Sequence, residues 1–518
     1  MPGLPYHVSM LPVRRSLRLL LALVLLVATG GLGVGRTSAQ APAAPVTITL
    51  LHFNDVYEID AVEGGHAGGL ARVATIRDRL LGSTGGALLT VLGGDFLSPS
   101  AIGLARVDGE LLAGRQMVDV LNAVGVDWAT FGNHEFDVTE QAFHARLAQA
   151  RFKLVSTNVT DASGQPFAGT VTSAIVPVRS GGRTLRLGLI GLTIDENRRP
   201  WVKYLPPIDT ARPAIARLRS EGVDAVVALT HLSIAEDQDL VKAIPDIDLV
   251  LGGHEHENII ERRGARFTPI IKADSNVRSV AIVTMTFAGA GARPVIEPRI
   301  EVVDDGVPRK DSVQALVDQW MTRGLDAVRR DGFTPDAVVG TIAEPLDGRE
   351  SMVRHQSTNL TDLITLAMVH EAGGAEIAIL NAGSIRIDDV LLAGPVRQYD
   401  VLRVLPFGGK VLKASLDGAL LANVLDAGAQ NQGSGGYLHL RGVTRENGGW
   451  RVGGQPIDPA RRYIVAMPEF LLTGGEARMG FLTRDNPQVH DVQAYSDIRF
   501  ALINELKKGT VRPLPSRP

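Results

Sequence analysis

Five groups of polar residues in the first half of the chain follow short apolar runs, and their side chains suit divalent metal ions. The groups are Asp55, Gly93-Gly94-Asp95, Gly132-Asn133-His134-Glu135-Phe136-Asp137, His231 and Gly252-Gly253-His254-Glu255-His256. Carboxylate oxygens and imidazole nitrogens bind hard and borderline divalent cations, and water bound to such a cation becomes a nucleophile near neutral pH. The pattern therefore indicates a metal site capable of hydrolysis.

The five groups contain enough candidate ligands for two ions, because one carboxylate can bridge two metals about 3.5–4 Å apart. Asp95 is the candidate bridge, and glycines such as Gly132 and Gly253 would keep side chains away from the ions. A lone histidine more often has a structural place than a chemical one. That interpretation applies to His52, His66, His144, His370, His439 and His490, which lie outside the five groups.

The apolar runs before these groups are the predicted strands that must bring them together. They alternate with amphipathic segments, which predicts α/β layers with buried sheets and ligands at the carboxyl ends of strands. The main strands are predicted at residues 46–53, 87–92, 128–131, 152–156, 185–192, 224–229 and 247–251. A charged segment at 301–309 predicts a domain boundary, and a helical pattern at 311–330 precedes a second α/β region.

The overall composition limits the class of protein. The chain has 518 residues, of which 45% are hydrophobic and 21% charged, with a formal net charge of −3. This balance is typical of a globular protein with two or more domains, and it offers no basic field for a nucleic-acid polymer. The chain has no cysteine, which excludes disulfides, thiolate metal sites and iron–sulfur clusters.

Residues 1–39 have the pattern of a secretory signal. Arg14, Arg15 and Arg18 precede an apolar run at 19–28, and small residues follow before Gln40. We therefore expect an exported protein, periplasmic or secreted, without a membrane span in the mature chain. An uncleaved N-terminal anchor is the alternative, although the apolar run is short for a bilayer span. The oligomeric state is not predictable from these features.

The ordered motifs resemble those of the calcineurin-like metallophosphoesterase superfamily. Together with the second half of the chain they resemble the two-domain 5'-nucleotidase family. The resemblance implies a four-layer α/β/β/α metallophosphoesterase domain at residues 46–305 and a linker with a connecting helix at 306–335. A mixed α/β substrate-binding domain would follow at 336–510. It also implies two divalent ions, such as zinc, manganese or cobalt, and a small nucleotide substrate.

The same resemblance assigns roles to the polar groups of the first domain. The implied metal ligands are Asp55, Asp95 and His256 for one ion and Asp95, Asn133, His231 and His254 for the other. His134 would be the catalytic histidine that stabilises the transition state, and Asp137 would orient its imidazole. Glu135 and Glu255, which lie between the implied ligands, are interpreted as structural or solvent-facing.

Residue 57 departs from the family pattern. Most members have Asp-x-His in the first motif, whereas this chain has Asp55-Val56-Tyr57. A neutral phenol is a poor ligand because its pKa is near 10. Three interpretations stay open: one ion is held by Asp55, Asp95, His256 and water; Tyr57 binds a stronger Lewis acid such as ferric iron as phenolate; or the site is degraded. Metal identity depends on which applies.

Substrate-binding residues are implied in the second domain. The segment 381–386 resembles the family's Asn-Gly-Gly-x-Ile-Arg motif, whose arginine has a planar fork suited to phosphate. Two aromatic residues match the pair that stacks on a nucleobase. The full implied set is Arg349, Arg354, Arg386, Phe407, Phe470 and Glu476. Glu476 replaces an aspartate and Gly409 an asparagine, so the base preference stays open.

The leading hypothesis is an exported, metal-dependent phosphohydrolase that removes phosphate from nucleoside 5'-monophosphates by in-line attack of metal-bound water. Alternatives with the same metals are hydrolysis of 2',3'-cyclic nucleotides, 3'-nucleotides or UDP-sugars, and the manganese thiosulfohydrolase chemistry of a sister branch. Retention of Phe407 and Phe470 favours a nucleobase over a sulfur substrate. A non-catalytic nucleotide-binding protein with a degraded site is the remaining hypothesis.

Overall fold

Two β-sheets pack face to face in the first half of the chain in the computed structural model, which describes residues 45–289 and 291–509. The first sheet contains, in spatial order, Val295–Val302, Ser279–Phe287, Val46–Phe53, Leu88–Leu92, Trp128–Ala129, Lys153–Val155 and Thr170–Val171. The second contains Ile259–Arg263, Thr268–Lys272, Leu249–Gly252, Ala225–His231, Arg183–Thr193 and Ala174–Ser180. The predicted signal at 1–39 lies outside the described residues.

Helices cover the outer face of each sheet. Between the sheets lies a buried apolar cluster that includes Leu50, Leu187 and Leu251, because alternate residues of each strand face the opposite sheet. The covering helices are Leu70–Thr84, Arg115–Val124 and Glu140–Gln149 on the first sheet and Pro207–Ser220 and Ile234–Ala243 on the second. The predicted four-layer α/β/β/α arrangement is therefore confirmed.

Parallel pairing places the polar groups at one edge. In the first sheet Val46–Phe53 pairs in parallel with Leu88–Leu92, which pairs in parallel with Trp128–Ala129. In the second sheet Ala225–His231 pairs in parallel with Leu249–Gly252. Parallel strands end on the same side of a sheet, so the residues that follow them leave in the same direction.

The strand Val295–Val302 was not among the predicted strands, and the predicted boundary at 301–309 begins inside it. It is an edge strand that pairs only through Ser279–Phe287 within the described sheet. Most of its residues are exposed or half-buried, and three of them are charged. Charged side chains are common on edge strands because they discourage pairing with other chains, and they interrupt the apolar run used to predict a strand.

The connecting helix Asp311–Arg330 packs on the helical layer of the first domain. Its apolar face, which includes Val317 and Trp320, is buried there. Beyond the end of the helix, Phe333 stacks on Phe500 of the last helix, with ring centroids 4.4 Å apart. The helix therefore packs on the first domain, whereas Phe333 beyond its end packs on the second. This arrangement confirms the predicted joining helix.

The second domain has a five-stranded mixed sheet. In spatial order its strands are Leu438–Arg441, Ile377–Asn381, Arg462–Pro468, Lys410–Asp417 and Val489–Asp497. Helices Asn359–Glu371 and Ile498–Leu506 pack on one face and Gly418–Gln430 packs on the other. The shorter helices near the site are Glu350–Val353 and Gln398–Val404, with 3-10 turns at His134–Asp137, Ala382–Ser384 and Glu469–Leu472. The predicted mixed α/β domain is confirmed.

Every helix in the described part of the chain is too short or too polar to cross a bilayer.

Candidate active site

The polar side chains at the strand ends converge on one buried cluster. Asp95 Oδ2 lies 3.2 Å from His231 Nε2 and accepts a hydrogen bond of 3.1 Å from the Tyr57 hydroxyl. Asp55 Oδ1 lies 3.1 Å from His256 Nε2 and accepts a hydrogen bond of 3.2 Å from the same hydroxyl. Atoms near 3 Å apart are suitably spaced to share one ion at bond lengths of about 2.0–2.2 Å.

Two buried atoms in the cluster support this interpretation. His231 Nε2 and Asn133 Oδ1 are buried, and neither makes a hydrogen bond of suitable geometry within the described residues, although Asp95 Oδ2 lies 3.2 Å from Nε2. His231 Nδ1 lies 2.7 Å from the carbonyl oxygen of Gly93, to which it can donate a hydrogen bond, and this contact directs Nε2 into the cluster. Buried polar atoms are normally satisfied, and an imidazole nitrogen and an amide oxygen are both metal donors. The residues present therefore fit divalent cations.

The backbone is strained at four of the candidate ligands. Asp55, Asp95, His254 and His256 all adopt positive φ, at 53°, 54°, 89° and 57°. Each such conformation costs a non-glycine residue about 1–3 kcal/mol and persists only where the surroundings enforce it. Here the backbone of Asp55 donates a hydrogen bond of 3.0 Å to the carbonyl oxygen of Gly94, joining two ligand loops.

Two glycines leave the space that the carboxylates occupy. A Cβ atom on Gly132 would lie 2.0 Å from Asp95 Oδ1. A Cβ atom on Gly253 would lie 2.7 Å from Asp55 Oδ2 and 2.9 Å from His231 Nδ1. Any side chain at either position would displace a candidate ligand, so the predicted role of these glycines agrees with the geometry.

The cluster is electrostatically suited to positive charge. Burial raises the pKa of Asp95, but the neighbouring His231 outweighs that effect and holds the pKa well below its usual range. Burial lowers the pKa of His231, yet Asp95 and Asp55 together raise it to about 10. Burial also raises the pKa of Asp55, but His231 and His256 hold it well below its usual range, so both carboxylates are ionised at neutral pH. They stabilise positive charge between them, which a protonated His231 or a divalent cation would supply.

The Tyr57 hydroxyl occupies a central place in the cluster. Besides its bonds to both carboxylates, it lies 2.9 Å from His256 Nε2. Burial, together with Asp95 and Asp55, raises the pKa of this hydroxyl well above its usual value. The oxygen therefore contacts both carboxylates as a neutral donor.

Glu135 is a structural residue that fixes two ligand loops. Its buried carboxylate accepts hydrogen bonds from the backbone N–H groups of Asp95 at 2.9 Å, Phe96 at 2.7 Å and Gly132 at 2.5 Å. Because its side chain is fully buried, the solvent-facing alternative is wrong for this residue. Its role is to hold the candidate bridging residue against the loop that carries His134.

Glu255 has a comparable role on the other side of the site. It forms an ion pair with Lys272, a buried residue that also contacts Asp237 Oδ2 at 2.9 Å. Lys272 Nζ donates a hydrogen bond of 2.8 Å to the carbonyl oxygen of Gly253. This buried network supports the turn that presents His254.

His52 also supports the ligand loops. Its ring is fully buried, and Nε2 lies 2.9 Å from the carbonyl oxygen of Gly252. Burial lowers the pKa of His52 to about 4, so the ring is neutral at physiological pH. The structural role predicted for His52 agrees with this position, although the ring lies next to the candidate site.

His134 is held between two charged partners. The 3-10 turn His134–Asp137 brings Nδ1 to 2.5 Å from Asp137 Oδ2, as the spacing of three residues predicts. With the Nδ1 proton donated to Asp137, Nε2 accepts a hydrogen bond of 2.7 Å from Arg386 Nη2. The backbone N–H of His134 donates to Asp95 Oδ1 at 2.8 Å, which fixes the ring beside the cluster.

Arg386 and Arg354 share one buried carboxylate, Glu350. Glu350 Oε1 lies 2.5 Å from Arg354 Nη2, and Oε2 lies 3.4 Å from Arg386 Nη1. Burial raises the pKa of Glu350, but the two arginines outweigh it and lower the pKa. One carboxylate therefore holds both guanidinium groups, and Arg386 also contacts His134.

Arg349 is directed away from this group. Its guanidinium pairs with Asp347, with Nε 3.0 Å from Oδ1 and Nη2 2.7 Å from Oδ2, and half of its side chain is exposed. Arg349 is thus paired with Asp347, whereas Arg354 and Arg386 are paired with Glu350.

The two aromatic candidates are on the surface of the second domain rather than in its core. Phe407 is 44% exposed and Phe470 is 47% exposed, so neither ring is a core side chain. Gly475 lies against the Phe470 ring, where a Cβ atom would be 3.3 Å from Cε2. Glu476 accepts a hydrogen bond of 2.9 Å from Asn381 Nδ2, which joins it to the arginine-bearing motif. Exposed rings beside polar groups suit a nucleoside.

Four residues that contact the site were not identified from the sequence. Glu350 joins the arginines, and Asp388 Oδ2 lies 2.5 Å from His256 Nδ1. Asn197 Nδ2 lies 3.0 Å from His134 Nδ1, and Arg199 Nη2 lies 3.2 Å from Asp137 Oδ1. They lie outside the five polar groups, and only the packing of distant segments brings them there. For Asp388, the sequence feature nearest to a signal was its place two residues after the arginine motif at 381–386.

Comparison with known proteins agrees with this fold and site. Residues 48–258 match the family of calcineurin-like phosphoesterases, and residues 338–483 match the 5'-nucleotidase C-terminal domain. The chain belongs to the calcineurin-like phosphoesterases that carry a 5'-nucleotidase C-terminal domain, as the sequence motifs predicted.

Relatives of similar length share both domains. The protein UshA of Yersinia enterocolitica is 25% identical, and the match covers 83% of this chain and 86% of UshA. The 5'-nucleotidase of Bos taurus is 23% identical, and the match covers 87% of each chain. The fold is similar to that of a 5'-nucleotidase precursor from Thermus thermophilus, with a TM-score of 0.73, 23% identity and coverage of 91% of this chain and 98% of that one.

Proposed function

We propose that the protein is an exported, metal-dependent 5'-nucleotidase that hydrolyses nucleoside 5'-monophosphates to nucleoside and phosphate. The observation that carries the proposal is the contact of 2.7 Å between Arg386 Nη2 and His134 Nε2. It joins an arginine of the second domain to the imidazole beside Asp55 and Asp95. A phosphate there would meet positive charge from both domains, as transfer of a phosphoryl group requires.

Each chemical role falls to a residue whose geometry suits it. Arg386 and Arg354 would bind the phosphate oxygens through their planar forks. His134 would act in its doubly protonated form, in which Nδ1 donates to Asp137 and Nε2 donates a hydrogen bond to the oxygen on which charge develops. Arg386 would then exchange its contact with His134 for one with the substrate.

The metal ligands proposed are Asp55, Asp95 and His256 for one ion and Asp95, Asn133, His231 and His254 for the other. When bound, two divalent cations would supply a nucleophile from water at neutral pH and neutralise charge on the phosphate. The protein's own contribution is a buried, rigid donor set, since Glu135 and Lys272 hold the loops on either side.

The second domain would select the nucleotide. Phe407 and Phe470 are exposed rings, and base–aromatic stacking is worth about 1–3 kcal/mol per base. Glu476 would accept a hydrogen bond from the sugar or base, while Asn381 holds its carboxylate in place.

We propose export through residues 1–39, to be tested by sequencing the N-terminus of the protein recovered outside the cytoplasm.

Phosphate release from AMP tests the proposal. The purified protein, stripped of metal and resupplied with Mn²⁺, Zn²⁺ or Co²⁺, should release phosphate from AMP only after an ion is added. Parallel assays with 3'-AMP, 2',3'-cyclic AMP, UDP-glucose and thiosulfate distinguish the alternatives that share these metals. Failure to release phosphate from AMP with any of the three ions would contradict a 5'-nucleotidase.

Replacing Tyr57 distinguishes the interpretations of this position. We propose that Tyr57 is a neutral donor to Asp55 and Asp95 and that water completes the coordination of the ion. Tyr57→Phe should then keep two ions per chain and reduce turnover by no more than about tenfold, roughly 1.4 kcal/mol. Tyr57→His adds an imidazole donor that divalent ions favour, and it should tighten the binding of Mn²⁺.

Metal content and absorption spectra provide the measurement. Loss of one ion in Tyr57→Phe would show that the tyrosine is itself a ligand. A visible absorption band in protein loaded with iron, lost in Tyr57→Phe, would identify a ferric phenolate instead. Retention of both ions together with normal turnover in Tyr57→Phe would support the role proposed for Tyr57.

A further inference from the structure

Asp388, in the second domain, contacts a candidate metal ligand of the first. Its Oδ2 lies 2.5 Å from His256 Nδ1, and the two residues are 132 positions apart in the sequence. The contact is sheltered from solvent, since the side chain of His256 is 6% exposed and that of Asp388 is 10% exposed. The other ring nitrogen, Nε2, faces Asp55 Oδ1 at 3.1 Å.

The carboxylate of Asp388 is itself fixed from three sides. Oδ1 accepts a hydrogen bond of 2.7 Å from the backbone N–H of Glu350, and Oδ2 accepts one of 3.1 Å from Ser275 Oγ. The residue adopts φ 39°, a strained conformation that the packing of both domains must maintain. Since Glu350 also pairs with Arg354 and Arg386, Asp388 belongs to the group that orients the arginines.

We propose that Asp388 is a positioning residue that makes one metal site depend on the docked second domain. By accepting the Nδ1 proton of His256, it fixes the tautomer that leaves Nε2 free to bind an ion, and it fixes the plane of the ring. A carboxylate in this place also increases the basicity of the ligand. The inference deepens the proposed function, on which it rests for the presence of the ions.

The dependence is selective for one of the two ions. His254, assigned to the other ion, comes from the same turn but is supported by Lys272 within the first domain. Removing the charge and one of the two acceptor oxygens of residue 388 should therefore weaken the ion at His256 and leave the other unchanged. A domain that only covers the site would affect both ions equally.

Binding of Mn²⁺ alone, measured by equilibrium dialysis on the purified protein, tests the proposal without substrate. In Asp388→Asn we expect the Kd of one ion to rise about 10–100-fold, the usual effect of losing the partner of a ligand. The matched control is Asp389→Asn, because Asp389 is equally buried but pairs with Arg278 and Arg403. It should leave both Kd values unchanged.

A double-mutant cycle with His256→Ala separates positioning from general damage. If Asp388 acts through His256, the double variant should bind Mn²⁺ no more weakly than His256→Ala alone. Additive losses, an unchanged Kd in Asp388→Asn, or no ion at His256 in the unmodified protein would each overturn the proposal. Two bound ions without AMP hydrolysis would contradict the proposed function but not the role of Asp388, since the dialysis uses no nucleotide.

Discussion

His134→Ala should lower the turnover of AMP by about 10²–10³-fold while the protein keeps its fold and both ions. The imidazole is the group whose Nε2 would meet the developing charge, and its orientation depends on the contact of 2.5 Å with Asp137. The hydrogen bond to Asp95 comes from the backbone N–H of residue 134, so it survives the substitution. The loss is therefore expected in kcat rather than in metal content.

The controls for this variant come from the same part of the chain. His144→Ala removes an exposed histidine ten residues away and should leave turnover unchanged. Asp137→Asn keeps the shape of the partner but removes its charge, and we expect an intermediate loss. Steady-state kinetics with metal analysis of each variant provide the measurement, and normal kcat in His134→Ala with two ions bound would remove this residue from the mechanism.

Asp95→Asn should remove at least one ion per chain and lower turnover by about 10³-fold or more. Asp95 is the carboxylate that lies nearest to His231, at 3.2 Å, and it also accepts hydrogen bonds from Tyr57 and the backbone of His134. The amide is nearly the same size but is neutral and binds metal weakly. Several kcal/mol of charge stabilisation would be lost, which corresponds to the expected factor.

Thermal unfolding gives an independent measure of this prediction. A ligand that binds only the folded protein raises its free energy of unfolding, so added Mn²⁺ should raise the Tm of the unmodified protein. That rise should shrink in Asp95→Asn. Asp127→Asn is the matched control. Asp127 accepts a hydrogen bond from the backbone N–H of Thr90, which lies away from the cluster in the strand that precedes Asp95. Retention of two ions and normal turnover in Asp95→Asn would refute its role as a bridge.

Much of the first domain could be predicted because its determinants are local. Apolar runs of β-branched residues define strands such as Val46–Phe53 and Ala225–His231, and the glycine and ligand motifs follow directly after them. The side-chain types limit the chemistry without any knowledge of the packing. The edge strand Val295–Val302 was missed because its exposed charges interrupt the apolar run.

The sequence alone therefore determined the layers, the strand ends and the residue types that suit two cations. Only the tertiary structure decided which distant groups meet: Arg386 with His134, 252 positions apart, and Asp388 with His256, 132 positions apart. It also decided that the Tyr57 hydroxyl lies between both carboxylates. The physical reason is that local patterns of burial fix each element, whereas contacts between domains depend on how complete surfaces pack, which short motifs do not encode.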